Sequence, residues 1–429
     1  MRAARRVLAP LRDRNFALLW TGMTVSLLGD GVLLVALAWQ VYELSNAPTA
    51  LAAVGVAMTI PHVAFLLLGG VASDRLDRRV LMIVADVARA AAVGVMGLLA
   101  ATGDLRLWHV FPLIAVYGAA TAFFGPAFDA FVPDVVAADE LPQANAIDQF
   151  VRPLALRLAG PALGGFVIAA GGGTAAAFLF DACTFIVSMA CLTRVRPQIL
   201  THDTAGRESG SMIGEVAEGF RFVRHNVWLW GTLLAAACAY LLFMGPVEVL
   251  LPYIVKNDLH AGGGSLGIIF AVGGVGAILA SLAMAAVGTP RRNITLVYLT
   301  WTGSTLVLAG YGIVHAPWQA MVISFLFNGL ESAGTVVWLT TKQRLVPRHL
   351  LGRVSSFDWF ISTGLVPLSF AITAPVAAAI GARDTFVLAG VLGAGVTLAF
   401  LFLPGVRDAE GRRPDATAPD PEPAQRLAA

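Results

Sequence analysis

Residues Gly70–Arg79 read GVASDRLDRR, a glycine followed by an acid with a basic neighbour and then a basic pair, set between two long apolar runs. One run begins near residue 50 and the other near residue 80. Such a charged turn is where a chain leaves one pass through a bilayer and enters the next. A helical pass needs about 20 apolar residues at about 1.5 Å each. On that ruler twelve candidate spans start near residues 16, 50, 80, 108, 148, 175, 227, 264, 292, 317, 355 and 383. Backbone groups in hydrocarbon must be satisfied within the segment, and runs this long and continuous do not alternate as barrel strands do. The expected fold class is an all-α integral membrane protein.

Composition points the same way. Of 429 residues 57% are hydrophobic and 13% charged, with a mean hydropathy of +0.76. A soluble chain carries roughly 25% charged residues to cover a wet surface, so most of this surface faces lipid. Net charge is only +2, but its placement is uneven. With the N-terminus on the cytoplasmic side, 23 of the 29 Lys and Arg fall in cytoplasmic segments and 3 (Arg106, Lys256, Arg383) on the opposite side. The positive-inside rule therefore puts both termini in the cytoplasm. Cys183, Cys191 and Cys238 lie in apolar runs without CxxC spacing and read as packing residues. The run Phe16–Ala38 is too long for the apolar core of a signal peptide and reads as a retained first helix.

The connections are short except for the polar stretch after the sixth run, which implies a six-plus-six layout. The expected units are an N-terminal tail (1–15), a first six-helix half (16–195), a linker (196–226), a second half (227–404) and a disordered tail (405–429). Within the linker Met212, Ile213, Val216, Phe220 and Val223 recur at helical spacing opposite Glu215, Glu218, Arg221 and Arg224, the pattern of an interfacial amphipathic helix. A faint repeat supports two related halves: AIDQF (146–150) and SFDWF (356–360) match at an offset of 210, which Gly171 and Gly381 also keep.

Gly70, Asp74, Arg75, Arg78 and Arg79 match, position by position, the loop signature between the second and third helices of the major facilitator superfamily, which the chain resembles. Asp77 departs from the pattern, where glycine is common. The resemblance implies the major facilitator fold and a loop that latches the cytoplasmic side, its acid capping a helix end and its basic residues pairing with nearby acids. Gly160, Pro161, Gly164 and Gly165 resemble the GPxxGG element of exporter and antiporter branches, where small residues let helices approach and proline permits a bend. NFALLWTGMTVSLLGDGVLLVALAW, FFGPAFDAFVPD and GEVAEGFRFVRHN resemble the branch of macrolide-efflux and enterobactin-export proteins. The fourth run lacks the arginine carried there by many proton-coupled antiporters, which weakens the case for proton coupling.

Ionisable residues inside spans cost roughly 2.5 to 3.5 kcal/mol each if they face lipid at mid-depth, so they mark candidate sites. Asp30 and Glu331 lie deep in the first and tenth runs, where helices line the central cavity of the fold the chain resembles. They are the first candidates for contact with substrate or for proton exchange. Asp129, Arg152 and Arg157 are a second set, read as an ion pair of Asp129 with one of the arginines. Asp86 and Arg89 share a helix face, and Asp181 and Glu248 read as gate residues near the outer interface.

None of the seven histidines belongs to a HExxH pair and no GxxxxGK[ST] stretch occurs, so neither a membrane enzyme nor a nucleotide-driven pump is expected. The resemblance implies a proton-coupled exporter of small amphipathic molecules of drug, macrolide or siderophore type. An uptake symporter or facilitator is the alternative, and a non-transporting sensor the least favoured reading. Expected partners are a small-molecule substrate, protons and the lipid bilayer of the cell membrane. A monomer is expected, with no cofactor, metal or nucleic acid.

Overall fold

A computed structural model of the chain describes residues 9–136, 144, 151–196, 212–287, 291–347, 350, 354, 357–358, 360–361 and 364–410, and among them there is no strand. The first half comprises α1 (Arg14–Leu44), α2 (Pro48–Arg75), α3 (Arg78–Thr102), α4 (Leu107–Val135), α5 and α6 (Gly173–Arg194). Helix α5 covers residues 151–172 and is π-helical over Leu154–Ala159 and Ile168–Gly172, on either side of an α-helical Gly160–Val167. After α7 (Met212–His225) the second half begins with α8, which runs from Val227–Gly245 through π-helical turns at Pro246–Leu250 and Ile254–Asp258. It continues with α9 (Gly263–Val287), α10 (Asn293–Leu308), α11 (Pro317–Leu345), α12 (Val366–Ile380) and α13 (Ala382–Leu401).

Local chemistry sets the helix ends. The Asp13 carboxylate accepts from the backbone N–H of Asn15 (2.8 Å) and Phe16 (3.0 Å) to start α1. Pro48 and Pro317 occupy the first turns of α2 and α11, where no intrahelical donor is lost. Gly103, at φ 77°, turns the chain out of α3.

Among the described residues ten stretches are long and apolar enough to cross a membrane, but one of them, Val151–Arg194, has 44 residues. At about 1.5 Å per residue this is about twice the thickness of a hydrocarbon core. Gly171 (φ 89°) and Gly173 (φ 60°) break it, so α5 and α6 cross separately. The shorter α12 completes twelve membrane-spanning helices. Gly381, 210 residues after Gly171, also has a positive φ (92°) and ends α12. The weak sequence repeat thus joins two glycines that both take a positive φ, at different ψ (1° and 157°).

The packing repeats as well. In the first half α1 packs on α6, α2 on α4, and α3 on α4 and α6; in the second, α8 packs on α13, α9 on α11, and α10 on α11 and α13. This correspondence relates two six-helix halves as parallel repeats. They meet along two seams, α5 against α9 and α2 against α12. Twelve passes bring the beginning of α1 and the end of α13 to one face, called here the terminal face; the other is the far face. Large apolar side chains such as Leu98, Phe166, Leu279, Leu306 and Phe402 are exposed around the bundle, while Asp86, Arg89 and Asp181 are buried within it. That inversion suits a lipid solvent.

The disordered tail expected from residue 405 needs correction at its start. Residues Val406–Ala409 form a short 3-10 turn whose Val406 and Ala409 are buried with Trp228, Leu229 and Ile294, and Glu410 Oε1 accepts the N–H of Thr295 (2.6 Å). These apolar side chains have a surface to pack on, which tail composition alone did not reveal. Residues 411–429, the AIDQF motif and the first part of the linker lie outside the described residues.

Candidate functional site

Between the halves lies a cavity of about 480 Å³, within the roughly 300–1,000 Å³ usual for small-molecule sites. Its wall is largely aliphatic and aromatic, with Tyr240, Phe243, Phe270, Phe327 and Phe370 from the second half. Charged side chains are few: Asp30 from α1, Arg157 from α5, Glu248 from α8 and Glu331 from α11. Such a lining takes an amphipathic molecule by its apolar surface and orients it by a small number of polar contacts.

The structure brings Arg157 and Glu331 together across the halves, with Nη1 to Oε2 at 4.0 Å. Glu331 Oε1 also accepts from Thr335 Oγ1 (3.1 Å). The pair is at the limit of contact and Arg157 is half exposed, so it is held weakly and can part when the halves move. Of the two arginines expected as partners of Asp129, Arg157 is aimed at Glu331 by the helix turn at which α5 meets the cavity. Asp129 is exposed on α4, and the Arg152 guanidinium stands 6.0 Å from the Phe128 ring centre.

Asp30 faces the opposite wall. Its Oδ1 accepts from Tyr117 Oη (2.5 Å) and its Oδ2 lies 3.9 Å from Arg89 Nη1. Arg89 Nη2 donates to Asp86 Oδ1, and its guanidinium is held between the rings of Phe124 and Phe185, 4.4 Å from each. Asp181 is fully buried in this same part of the first half. It is therefore not the outer-interface gate expected from its place in the sequence, because α6 carries it inward behind α1. Tyr117 escaped sequence reading altogether, since one tyrosine in an apolar run carries no periodic signal.

In the loop signature, Arg78 is paired with an acid of a neighbouring helix. Gly70, Asp74 and Arg75 fall in the last turns of α2, and their side chains lie outside the description. Asp77, the departure from the pattern, caps α3 by accepting from Val80 N–H (3.1 Å). Arg78 donates to Asp134 Oδ2 (2.8 Å), Ala130 O (3.0 Å) and Ser73 O (3.2 Å), tying the turn to α4. Arg79 donates to Thr193 O (2.6 Å) on α6. Two arginines thus hold the terminal-face ends of four helices of the first half.

The glycines of α5 lie at its closest contacts. A Cβ on Gly160 would stand 2.7 Å from the Gly31 Cα of α1, and one on Gly165 would stand 3.0 Å from the Gly267 Cα of α9. Gly164 meets Val32, and Pro161 lines the cavity. Helix α5 is therefore clamped between a helix of its own half and one of the other. At the far face the halves join again. Tyr42 Oη donates to Val249 O, Lys256 Nζ to Tyr42 O (2.5 Å), and Asn46 Nδ2 to Asn257 Oδ1 (2.9 Å).

A twelve-helix bundle of two repeated halves around an amphipathic cavity defines a secondary transporter. Residues 5–428 match the family described as transmembrane secretion effectors (MFS_3). The chain belongs to that family of the major facilitator superfamily, and it is a multi-pass membrane protein and not an enzyme. It is 24% identical over 382 residues to macrolide efflux protein A of Streptococcus pyogenes, covering 88% of this chain and 93% of that protein. It is 28% identical over 395 residues to the multidrug efflux pump Tap of Mycobacterium tuberculosis, covering 89% and 91%. Among solved structures, a bacterial homologue of the iron transporter ferroportin in an inward-facing state superposes with a TM-score of 0.64 at 16% identity, covering 91% of this chain and 98% of that one. The nucleoside transporter NupG gives 0.66 at 10% identity, covering 90% and 98%. At such identities the likeness is one of fold.

Proposed function

We propose that the protein exports small amphipathic molecules of drug, macrolide or siderophore type across the cell membrane, by alternating access coupled to protons, as a monomer with both termini in the cytoplasm. The observation that carries the reading is the inter-half cavity, apolar over most of its wall and crossed by one loose ion pair, Arg157 to Glu331. A site shared by two rigid halves can be offered to either side as they rock, and a pair near 4.0 Å breaks easily in that motion. The efflux names of both relatives favour export. Coupling by protons is supported by acids on the cavity wall, since a carboxyl whose surroundings alternate between dry and wet can take up and release a proton. The 23 to 3 distribution of basic residues supports the orientation, with the terminal face cytoplasmic. In the same reading residues 16–195 and 227–404 move as the two rocking units, and Asp74, Arg75, Arg78 and Arg79 bias which face is open.

The test is expression in a bacterial host lacking its own pumps. Macrolide resistance should rise, and accumulation of a labelled macrolide should fall until an uncoupler dissipates the proton gradient. Accumulation that ignores the uncoupler would leave a facilitator. Raised accumulation would leave an uptake symporter.

A further inference from the structure

Behind Asp30, away from the cavity, three helices contribute acids to one guanidinium. Asp86 and Asp181 are 0% exposed and Arg89 2%. Asp86 pairs with Arg89 on α3, and Asp30 reaches the same guanidinium from α1 at 3.9 Å. Asp181 is set against the backbone of α1, for a Cβ on Gly29 would collide with its Oδ1 and with Thr184 Oγ1. The site has space only because the residue before Asp30 is glycine. Asp181 lies within electrostatic reach of Asp30 and Arg89, and Asp30 also of Arg152 from α5. The other groups facing the cluster are Tyr117 of α4, which donates to Asp30, and Thr184 and Ser188 of α6.

The charges do not balance. Three carboxylates face Arg89 and, more distantly, Arg152, so among the described residues at least one negative charge has no cation. Polar valences are also left open: among the described residues Asp181 Oδ2 and Arg89 Nε are buried without a hydrogen-bond partner. A buried carboxylate oxygen with no donor is costly in its ionised form and much less so as a neutral acid. Among the described residues no group of three or more His, Cys, Asp and Glu is arranged to hold a metal ion. The small cation that supplies both missing charge and missing donor is a proton.

We propose that Asp30 and Asp181 form a shared proton-binding site in the first half, loaded and emptied through the cavity by way of Asp30, with Asp86 as the fixed counter-ion of Arg89. A hydronium ion in the cavity gives its proton to a carboxylate oxygen, one O–H bond of that ion breaking as one forms on the acid and leaving neutral water. The reverse exchange, acid to water, occurs when the cavity faces the other side. Glu331 and Arg157 then belong to the substrate wall, so that proton and substrate occupy different walls of one cavity. The proposal rests on the reading of the chain as a proton-coupled exporter and specifies where its proton sits.

The full chain, reconstituted in liposomes, tests it by infrared difference spectra across a pH titration, read at the carbonyl band of protonated carboxylic acids. Protein made with aspartate carrying heavy carbon in its side-chain carboxyl should show that band shifted, which assigns it to aspartate and not to Glu248 or Glu331. Asp30→Asn and Asp181→Asn should each remove or reshape the band. Asp86→Asn should move its appearance about one pH unit or more toward acid, because Arg89 is then left to hold Asp30 and Asp181 ionised. Should Asp181→Asn fail to fold, Thr184→Val keeps every charge, removes a donor near Asp181 Oδ1, and must move the band toward alkaline pH. A band indifferent to labelled aspartate, or unmoved by these variants, overturns the proposal. Uncoupler-sensitive macrolide export is measured on the same liposomes. A titrating aspartate band without export sinks the exporter reading and spares the site, and export without the band does the reverse.

Discussion

At the scale of single residues, the two walls of the cavity predict different phenotypes for two acids. Asp30→Asn should abolish accumulation of a macrolide against its gradient yet leave downhill exchange, since the proton entry is lost while the cavity persists. Glu331→Gln should instead raise the KM for transport, because it removes a polar contact on the substrate wall and frees Arg157. Identical losses of coupling in both variants would contradict that division. A third side chain acts on stability alone. Asp77 caps α3, so Asp77→Ala should cost about 0.5–2 kcal/mol and lower the Tm of the purified protein; an unchanged Tm would leave the cap without energetic weight. Counting along each helix was enough to flag Asp30 and Glu331 as deep acids. It could not see that Asp181 lies behind Asp30, because depth along α6 says nothing about which neighbour that helix turns toward.

At the scale of the element, glycines of α1 and α3 should respond to alanine with opposite signs. A Cβ on Gly31 would stand 2.8 Å from both the Gly160 Cα and the Leu156 carbonyl oxygen, backbone atoms of α5 that cannot step aside. Gly31→Ala should therefore push α1 from α5 and destabilise by about 1–3 kcal/mol, as overpacking does. At Gly94 on α3 the nearest atom to a new Cβ is the Ala182 Cβ at 3.7 Å, an ordinary contact. Gly94→Ala should be neutral or stabilise by up to about 1 kcal/mol through helix propensity. Thermal unfolding of both variants in one detergent decides, and equal shifts would refute the reading of α5 as the clamped helix. The Gly-Pro-x-x-Gly-Gly spacing made close packing legible in the sequence, whereas the partners did not follow from it. Only the fold shows that Gly160 serves the α1 contact and Gly165 the inter-half seam with α9. The π-helical turns flanking Gly160–Val167 were likewise invisible, since no residue type specifies them.

At the scale of the whole molecule, the number of passes and the division into halves were legible because the bilayer imposes a length on every span and a turn between spans. How the halves touch was not, because their seams are made of small and apolar residues that differ little from those facing lipid. The polar contacts at the far face are the exception and give the last prediction. Asn46, just after α1, and Asn257 of α8 meet at 2.9 Å, one residue from each half, beside the bond of Lys256 to Tyr42 O. Alternating access requires this join to open once per cycle. A double variant Asn46→Cys, Asn257→Cys, tested with Cys183, Cys191 and Cys238 replaced by Ser, should cross-link under mild oxidation and stop macrolide export, and a reductant should restore it. With the terminal face in the cytoplasm, a reductant that cannot cross the membrane should suffice when added outside intact cells. Export that continues through a complete cross-link would mean that the halves do not part here, and rescue only by a permeant reductant would reverse the orientation.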